Sequence, residues 1–175
     1  ALHPEKTRLI AFGRFAKGEA MKQGKKKPDT FDFLGFTHIC ARSRQGKFTV
    51  HVKTIDKRLR RGLKSIADWC KRYRHSPVDE QQLTLNAKLR GHYQYYGRRT
   101  NYASIRRFYR EVCGIWRKWL NRRTRGNPLT WEKFYEVLRQ NPLLTPEVRH
   151  TWARRDEPRL EELAAENLHG EVCEG

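Results

Sequence analysis

Lys47-Phe-Thr-Val-His-Val-Lys-Thr-Ile-Asp-Lys-Arg-Leu-Arg-Arg-Gly-Leu-Lys-Ser-Ile-Ala-Asp-Trp-Cys-Lys-Arg-Tyr73 decides how this chain is read. Up to Val52 the residues fit a strand, with a period of two. After Lys53 the period becomes 3.6. Ile55, Leu59, Leu63, Ile66, Cys70 and Tyr73 recur three or four residues apart, which is one face of a helix. Thr54 is the expected N-cap. Lys57, Arg60, Arg61, Lys64 and Lys71 fall on the opposite face. A single switch from strand to helix period predicts an α+β chain, with a small N-terminal β piece followed by a mainly helical bundle of three to four helices.

Upstream of the switch, Thr7–Phe12 reads as a short strand ending at Gly13. Lys17–Asp29 holds Gly18, Gly24, Pro28 and the basic run Lys25–Lys27, and reads as an exposed loop. Phe31–Cys40 alternates as a strand, Gln45-Gly46 marks a turn, and Lys47–Val52 is its hairpin partner. So small a sheet, with open edges, is not expected to stand alone. Together with the absence of an initiator Met, it predicts a piece of a longer protein.

Downstream, Ser76-Pro77-Val78-Asp79-Glu80 supplies a cap, a Pro at the first helical position and acids in the first turn. Leu85, Leu89, Tyr93 and Tyr96 form the stripe of that second helix, and Gly97 ends it. A third helix is expected over about residues 102–123. Its buried face is Ile105, Phe108, Tyr109, Val112, Trp116 and Trp119, and its outer face carries Arg106, Arg110 and Arg117. Gly126-Asn127-Pro128 breaks it, and Thr130 caps a short fourth helix containing Trp131, Phe134, Val137 and Leu138.

The 175 residues carry a formal charge of +19, which makes a large polyanion the first expected partner. Residues 156–175 hold seven acids and one base, a net −6, so residues 1–155 carry +25. Five Trp, seven Tyr and eight Phe exclude disorder throughout. No apolar run approaches the roughly 18 residues of a membrane helix, so no membrane partner is expected. Cys40, Cys70, Cys113 and Cys173 contain no CxxC pair, so a zinc module is unsupported. Wide spacing and no signal peptide point to reduced thiols in the cytoplasm, with Cys70 and Cys113 as small core residues.

No phosphate-cradling glycine loop, HExxH or GxSxG is present, and Asp32, Asp56 and Asp68 do not pair as a metal site would require. The basic helix faces are the informative feature. A solvated face mixes signs and gains from i,i+4 pairs. Here Arg106, Arg110 and Arg117 have only Glu111 nearby. If the helices lie side by side, these cations form a phosphate-binding surface. Tyr95, Tyr96, Arg98, Arg99 and Tyr102 add the mixture of aromatics and cations that suits stacking on RNA bases, although Tyr96 fits the core equally.

Several ordered segments resemble one family. His3-Pro-Glu-Lys-Thr7 with the following Arg-Leu-Ile-Ala-Phe-Gly is similar to the late palm of group II intron reverse transcriptases. Thr30-Phe-Asp-Phe-Leu-Gly-Phe-Thr37 resembles the final palm motif of the same enzymes. Leu89-Arg-Gly-His-Tyr-Gln-Tyr-Tyr-Gly97 and Ile115-Trp-Arg-Lys-Trp-Leu-Asn-Arg-Arg123 resemble the thumb and maturase domain. The resemblance spans roughly residues 1–152. It implies a palm end over residues 1–53, a helical thumb and maturase domain over 54–127, a maturase extension over 128–155 and an acidic tail over 156–175.

It further implies that Lys6 is a candidate proton donor to the pyrophosphate leaving group, since a cation there offsets developing charge. A strand-start lysine is the plain alternative. Phe33, Leu34, Gly35 and Phe36 would form the primer grip, with Phe33 and Phe36 equally able to be core. The expected RNA contacts are Lys57, Arg61, Lys64, Arg90, Arg98, Arg99, Arg106, Arg110 and Arg117. The implied partners are group II intron RNA, an RNA template–DNA primer duplex, and the fingers and palm of a longer parent.

The family's Tyr-x-Asp-Asp signature and upstream Asp would lie N-terminal to these residues. Mg2+ is therefore expected in the parent, with no cofactor and no metal ligand in this chain, which as given is not expected to polymerise DNA. The acidic end also departs from the family's DNA-binding and endonuclease continuations. Two other readings stay open: a stand-alone RNA-binding splicing factor, and a generic basic DNA-binding helical domain.

Overall fold

The computed structural model describes Thr7, residues 9–123 and residues 128–149. Lys6, the Gly126-Asn127 break and the acidic tail lie outside these residues. The chain is α+β: one three-stranded antiparallel sheet and five α-helices among the described residues. No helix among them is long and apolar enough to cross a membrane.

The N-terminal expectations need three corrections. Thr7 and residues 9–12 form no strand, and Leu9 is fully exposed. Phe12 instead lays its ring edge against Phe31, centroids 4.8 Å apart. The expected loop at Lys17–Asp29 begins with a helix, α1 (Ala16–Lys22). Ala16 and Ala20 are both buried, and their i,i+4 spacing is the only apolar signal in a segment rich in lysine and glycine.

The expected single strand Phe31–Cys40 is in fact two, β1 (Phe31–Phe33) and β2 (Phe36–Arg42), reversed by Leu34-Gly35. Leu34 has φ +46° and Gly35 φ +79°, the paired positive angles of a type I′ hairpin. A leucine rarely accepts that conformation, which hides the turn from a sequence reading. β3 (Phe48–Thr54) pairs with β2 from Phe36↔Thr54 to Arg42↔Phe48, as the Gln45-Gly46 turn predicts.

The helices follow their stripes. α2 (Asp56–Arg72), α3 (Val78–Tyr96), α4 (Tyr102–Asn121) and α5 (Trp131–Gln140) share one core. Leu59, Ile66 and Cys70 meet Leu85, Leu89 and Tyr93 with Ile105, Phe108, Val112 and Trp116, and Phe134 and Leu143 close it. Trp116 is fully buried, and its indole N–H donates to Gln81 Oε1 at 3.0 Å. Gln81 in turn donates to the Ser76 carbonyl at 2.8 Å, so neither polar group is left unsatisfied in the core.

Two expected caps are not made. Ile55 holds the α2 cap position and Pro77 that of α3, neither with a side-chain bond. Thr130 does cap α5, accepting from the Lys133 N–H. Gly97 ends α3, and the returning chain packs on it: the Arg149 N–H donates to the Gly97 carbonyl at 2.7 Å. A methyl group at Gly97 would collide with the Tyr93 and Glu147 carbonyls.

Thr54, freed from capping, is buried and locks sheet to bundle. Its N–H donates to Asn101 Oδ1 at 2.8 Å, while Asn101 Nδ2 donates to Thr54 Oγ1 at 2.8 Å and to the Tyr96 carbonyl at 2.9 Å. The neighbouring 3₁₀ turn, Arg99–Asn101, covers the outer edge of β3, where Val52 N–H donates to Thr100 Oγ1 at 3.1 Å. With the Thr54 N–H bond, two N–H groups of that edge are thereby satisfied.

Candidate nucleic-acid interface

α2 and α3 run antiparallel: Arg58, early in α2, lies beside Tyr95 and Tyr96 late in α3, while Lys88 lies beside Trp69. The seam between them is an open groove. Arg61, Lys64 and Arg72 stand along one wall and Lys88 on the other, with Trp69 and Tyr73 between them and Asp68 as the single acid. Lys88 Nζ lies 5.9 Å from the Trp69 ring centroid, and the Trp69 and Tyr73 rings are 5.4 Å apart. Tyr73, placed by spacing on the apolar stripe, is in fact 43% exposed. Cations along a groove floored by aromatic rings supply phosphate attraction and base stacking together.

The Phe33–Phe36 turn stands at the other end of this seam. Tyr95 Oη donates to the Leu34 carbonyl at 2.8 Å, and Ile55 N–H donates to the Gly35 carbonyl at 3.1 Å. A Cβ at Gly35 would lie 3.1 Å from Tyr96 Oη, so the tyrosines pack closely against the turn. Phe33 and Leu34 project into solvent, 57% and 67% exposed. Phe36 is buried instead, stacked on Tyr95 and edged by Tyr96. It therefore supports the turn and is not itself presented to a ligand.

The nine expected RNA-contacting cations do not form one surface. Lys57, Arg61 and Lys64 share the exposed face of α2. Arg98 and Arg99 stand beside the β3 edge, near Arg44 and His51. Arg98 also rests its guanidinium over Phe36 at 5.6 Å. Arg106 and Arg110 are exposed on α4. α2 meets α4 through Gly62 and Phe108 and through Asp56 and Arg107, so each helix carries these cations away from the other. Arg90 lies one turn beyond Asn86, which binds the 142–144 segment, and so on a different flank of α3 from Lys88 and Tyr95.

Arg117 differs from the other eight in its packing. Its guanidinium donates to the Leu129 carbonyl at 2.9 Å, stacks 4.2 Å over Trp131 and encloses its Nε. It pins α5 to α4, so part of its guanidinium is committed to the scaffold. Sequence reasoning in turn missed Arg58, Arg72, Lys88 and Trp69. Arg58, Trp69 and Arg72 belong to α2 itself, with Arg72 about three turns along the same face from Arg61, and only Lys88 requires the pairing of α2 with α3.

His92 lies under the same seam, stacked on Phe108 at 3.7 Å, and burial lowers its pKa from 6.5 to about 4. The imidazole is therefore neutral near pH 7. Burial also raises the Cys70 thiol to about 12, which leaves it a core residue without nucleophilic character. Among the described residues, no three His, Cys, Asp or Glu side chains come together as a metal site would need. Asp32 accepts from Thr37 Oγ1 at 2.6 Å, and Asp56 pairs with Lys53 and Arg107. Comparison with protein-family models, curated proteins and solved structures returned no match.

Proposed function

We propose that this chain binds RNA as the C-terminal part of a group II intron reverse transcriptase and maturase. In that reading β1–β3 are the end of the palm, and α2–α4 are the thumb and maturase domain. The parent copies RNA into DNA with Mg2+ held by residues N-terminal to these. This part grips the template–primer duplex at the Leu34-Gly35 turn and holds structured intron RNA to assist splicing.

The observation that carries the reading is the α2–α3 groove, where four cations and two aromatic rings face one acid and lead to a strained turn with exposed apolar tips. Such a groove suits an unstacked strand, because bases stack on rings while phosphates meet cations. The turn suits a primer end, because Leu34 and Gly35 are held from behind by Tyr95 and Tyr96 and leave their outer side open.

The test is binding of folded group II intron RNA against a random DNA duplex of equal charge, across a salt series. A maturase role predicts preference for the RNA together with a steep salt dependence. Equal affinity for both would reduce the protein to a generic basic domain. An affinity that ignores salt would refute the electrostatic account.

A further inference from the structure

A second concavity lies at the far end of the sheet from the groove. Arg14, Lys17, Arg42 and Lys47 stand around it, Cys40 forms part of its wall, and no acid lines it. Phe36, at the groove end, and Arg42, at this end, are six residues apart on β2, about 20 Å along a strand. None of the four cations has a carboxylate partner within ion-pair distance among the described residues. Of their four side chains, only that of Arg42 makes a hydrogen bond among the described residues, donating to the Gly46 carbonyl of its own hairpin.

We infer that this concavity is a second phosphodiester-binding site, which takes the backbone of a nucleic-acid strand at the opposite end of β2 from the Leu34-Gly35 turn, about 20 Å along the strand. The inference rests on the RNA-binding reading and adds a site to it. Four like charges around one hollow repel one another in the free chain, and a polyanion relieves that repulsion. The hollow is open, with its cations on the rim. A pocket for a small phosphate ester would enclose most of its ligand and aim a few fixed donors inward. Rim cations without fixed partners suit an extended backbone whose phosphates can settle along them. Phe48 is the one aromatic ring in its lining and has no second ring stacked on it, unlike Trp69 and Tyr73, so the concavity contributes chiefly charge and position.

The test measures the salt dependence of oligouridylate binding by the whole chain in three forms. These are the wild type, the rim variant Arg14→Gln/Lys17→Gln/Lys47→Gln, and the groove variant Arg61→Gln/Lys64→Gln. Arg42 is left in place because it bonds its own turn. Removing three phosphate contacts should flatten the slope of log K against log salt by about 2, at roughly 0.7 per contact on a single strand. The charge-keeping variant Arg14→Lys/Lys47→Arg should retain the wild-type slope, and far-UV circular dichroism should be the same for all forms. An unchanged slope in the rim variant, with a flattened one in the groove variant, would overturn the second site and leave the RNA-binding reading standing. No binding by the wild type would overturn both.

Discussion

His92 offers a prediction whose size follows from its surroundings. The imidazole lies parallel to Phe108 at 3.7 Å and tilted against Tyr96 at 4.7 Å, and its Nε2 is enclosed without a hydrogen-bond partner. Burial is the cause of its lowered pKa, and no carboxylate opposes it. Below pH 6.5 the unfolded chain takes up a proton at this residue, while the folded chain does not until about pH 4. The unfolded state therefore binds more protons in that window. Stability is full above it and falls as the pH drops through it. At 1.36 kcal/mol per unit, the loss reaches about 3 kcal/mol near pH 4, a sizeable part of the roughly 5–15 kcal/mol of a typical domain. Urea unfolding between neutral pH and pH 4.5, for the wild type and His92→Gln, measures it. The variant carries a constant offset from its amide, so the comparison rests on the slope with pH. A wild-type slope steeper than that of His92→Gln is expected. Equal slopes would show that His92 titrates as an exposed histidine does, and the packing described for it would be wrong.

Other substitutions separate scaffold from surface. Asn101→Ala leaves the Thr54 N–H buried and unpaired, and thermal denaturation should show a loss of about 1–3 kcal/mol. Gly35→Ala forces an L residue to φ +79° within 3.1 Å of Tyr96 Oη, and the same assay should register about 1–2 kcal/mol. Arg117→Ala should destabilise by about 1–2 kcal/mol through the lost Leu129 bond and Trp131 stack, whereas Arg106→Glu/Arg110→Glu should weaken RNA binding and leave helicity intact. Trp116→Ala should cost on the order of 3–5 kcal/mol, and a loss below about 1 kcal/mol would contradict its burial.

The helices were legible because their apolar stripes are long and regular. The core of Leu59, Ile66, Leu85, Leu89, Ile105, Phe108 and Val112 is the one their spacing predicts. The hairpin at Leu34 was not legible, because a leucine at positive φ gives no turn signal and is held there by Tyr95, some sixty residues later. α1 was hidden for a related reason: two buried alanines carry it amid lysines and glycine. Thr54 follows the helix-cap rule by type but is taken by Asn101, a long-range partner that outweighs a local preference. Of the candidate site, α2's cationic face could be read directly. The groove required knowing that α3 lies antiparallel beside it, and Arg117 looked like Arg110 until α5 was seen packed over it.

The groove itself is the central claim, and binding by the variant Arg61→Gln/Lys64→Gln/Arg72→Gln/Lys88→Gln tests it most directly. Its four cations should account for a fall of about 3 in the salt slope on single-stranded RNA, at roughly 0.7 per contact, and for more than tenfold weaker binding at physiological salt. Unchanged affinity and slope in a correctly folded variant would contradict the account.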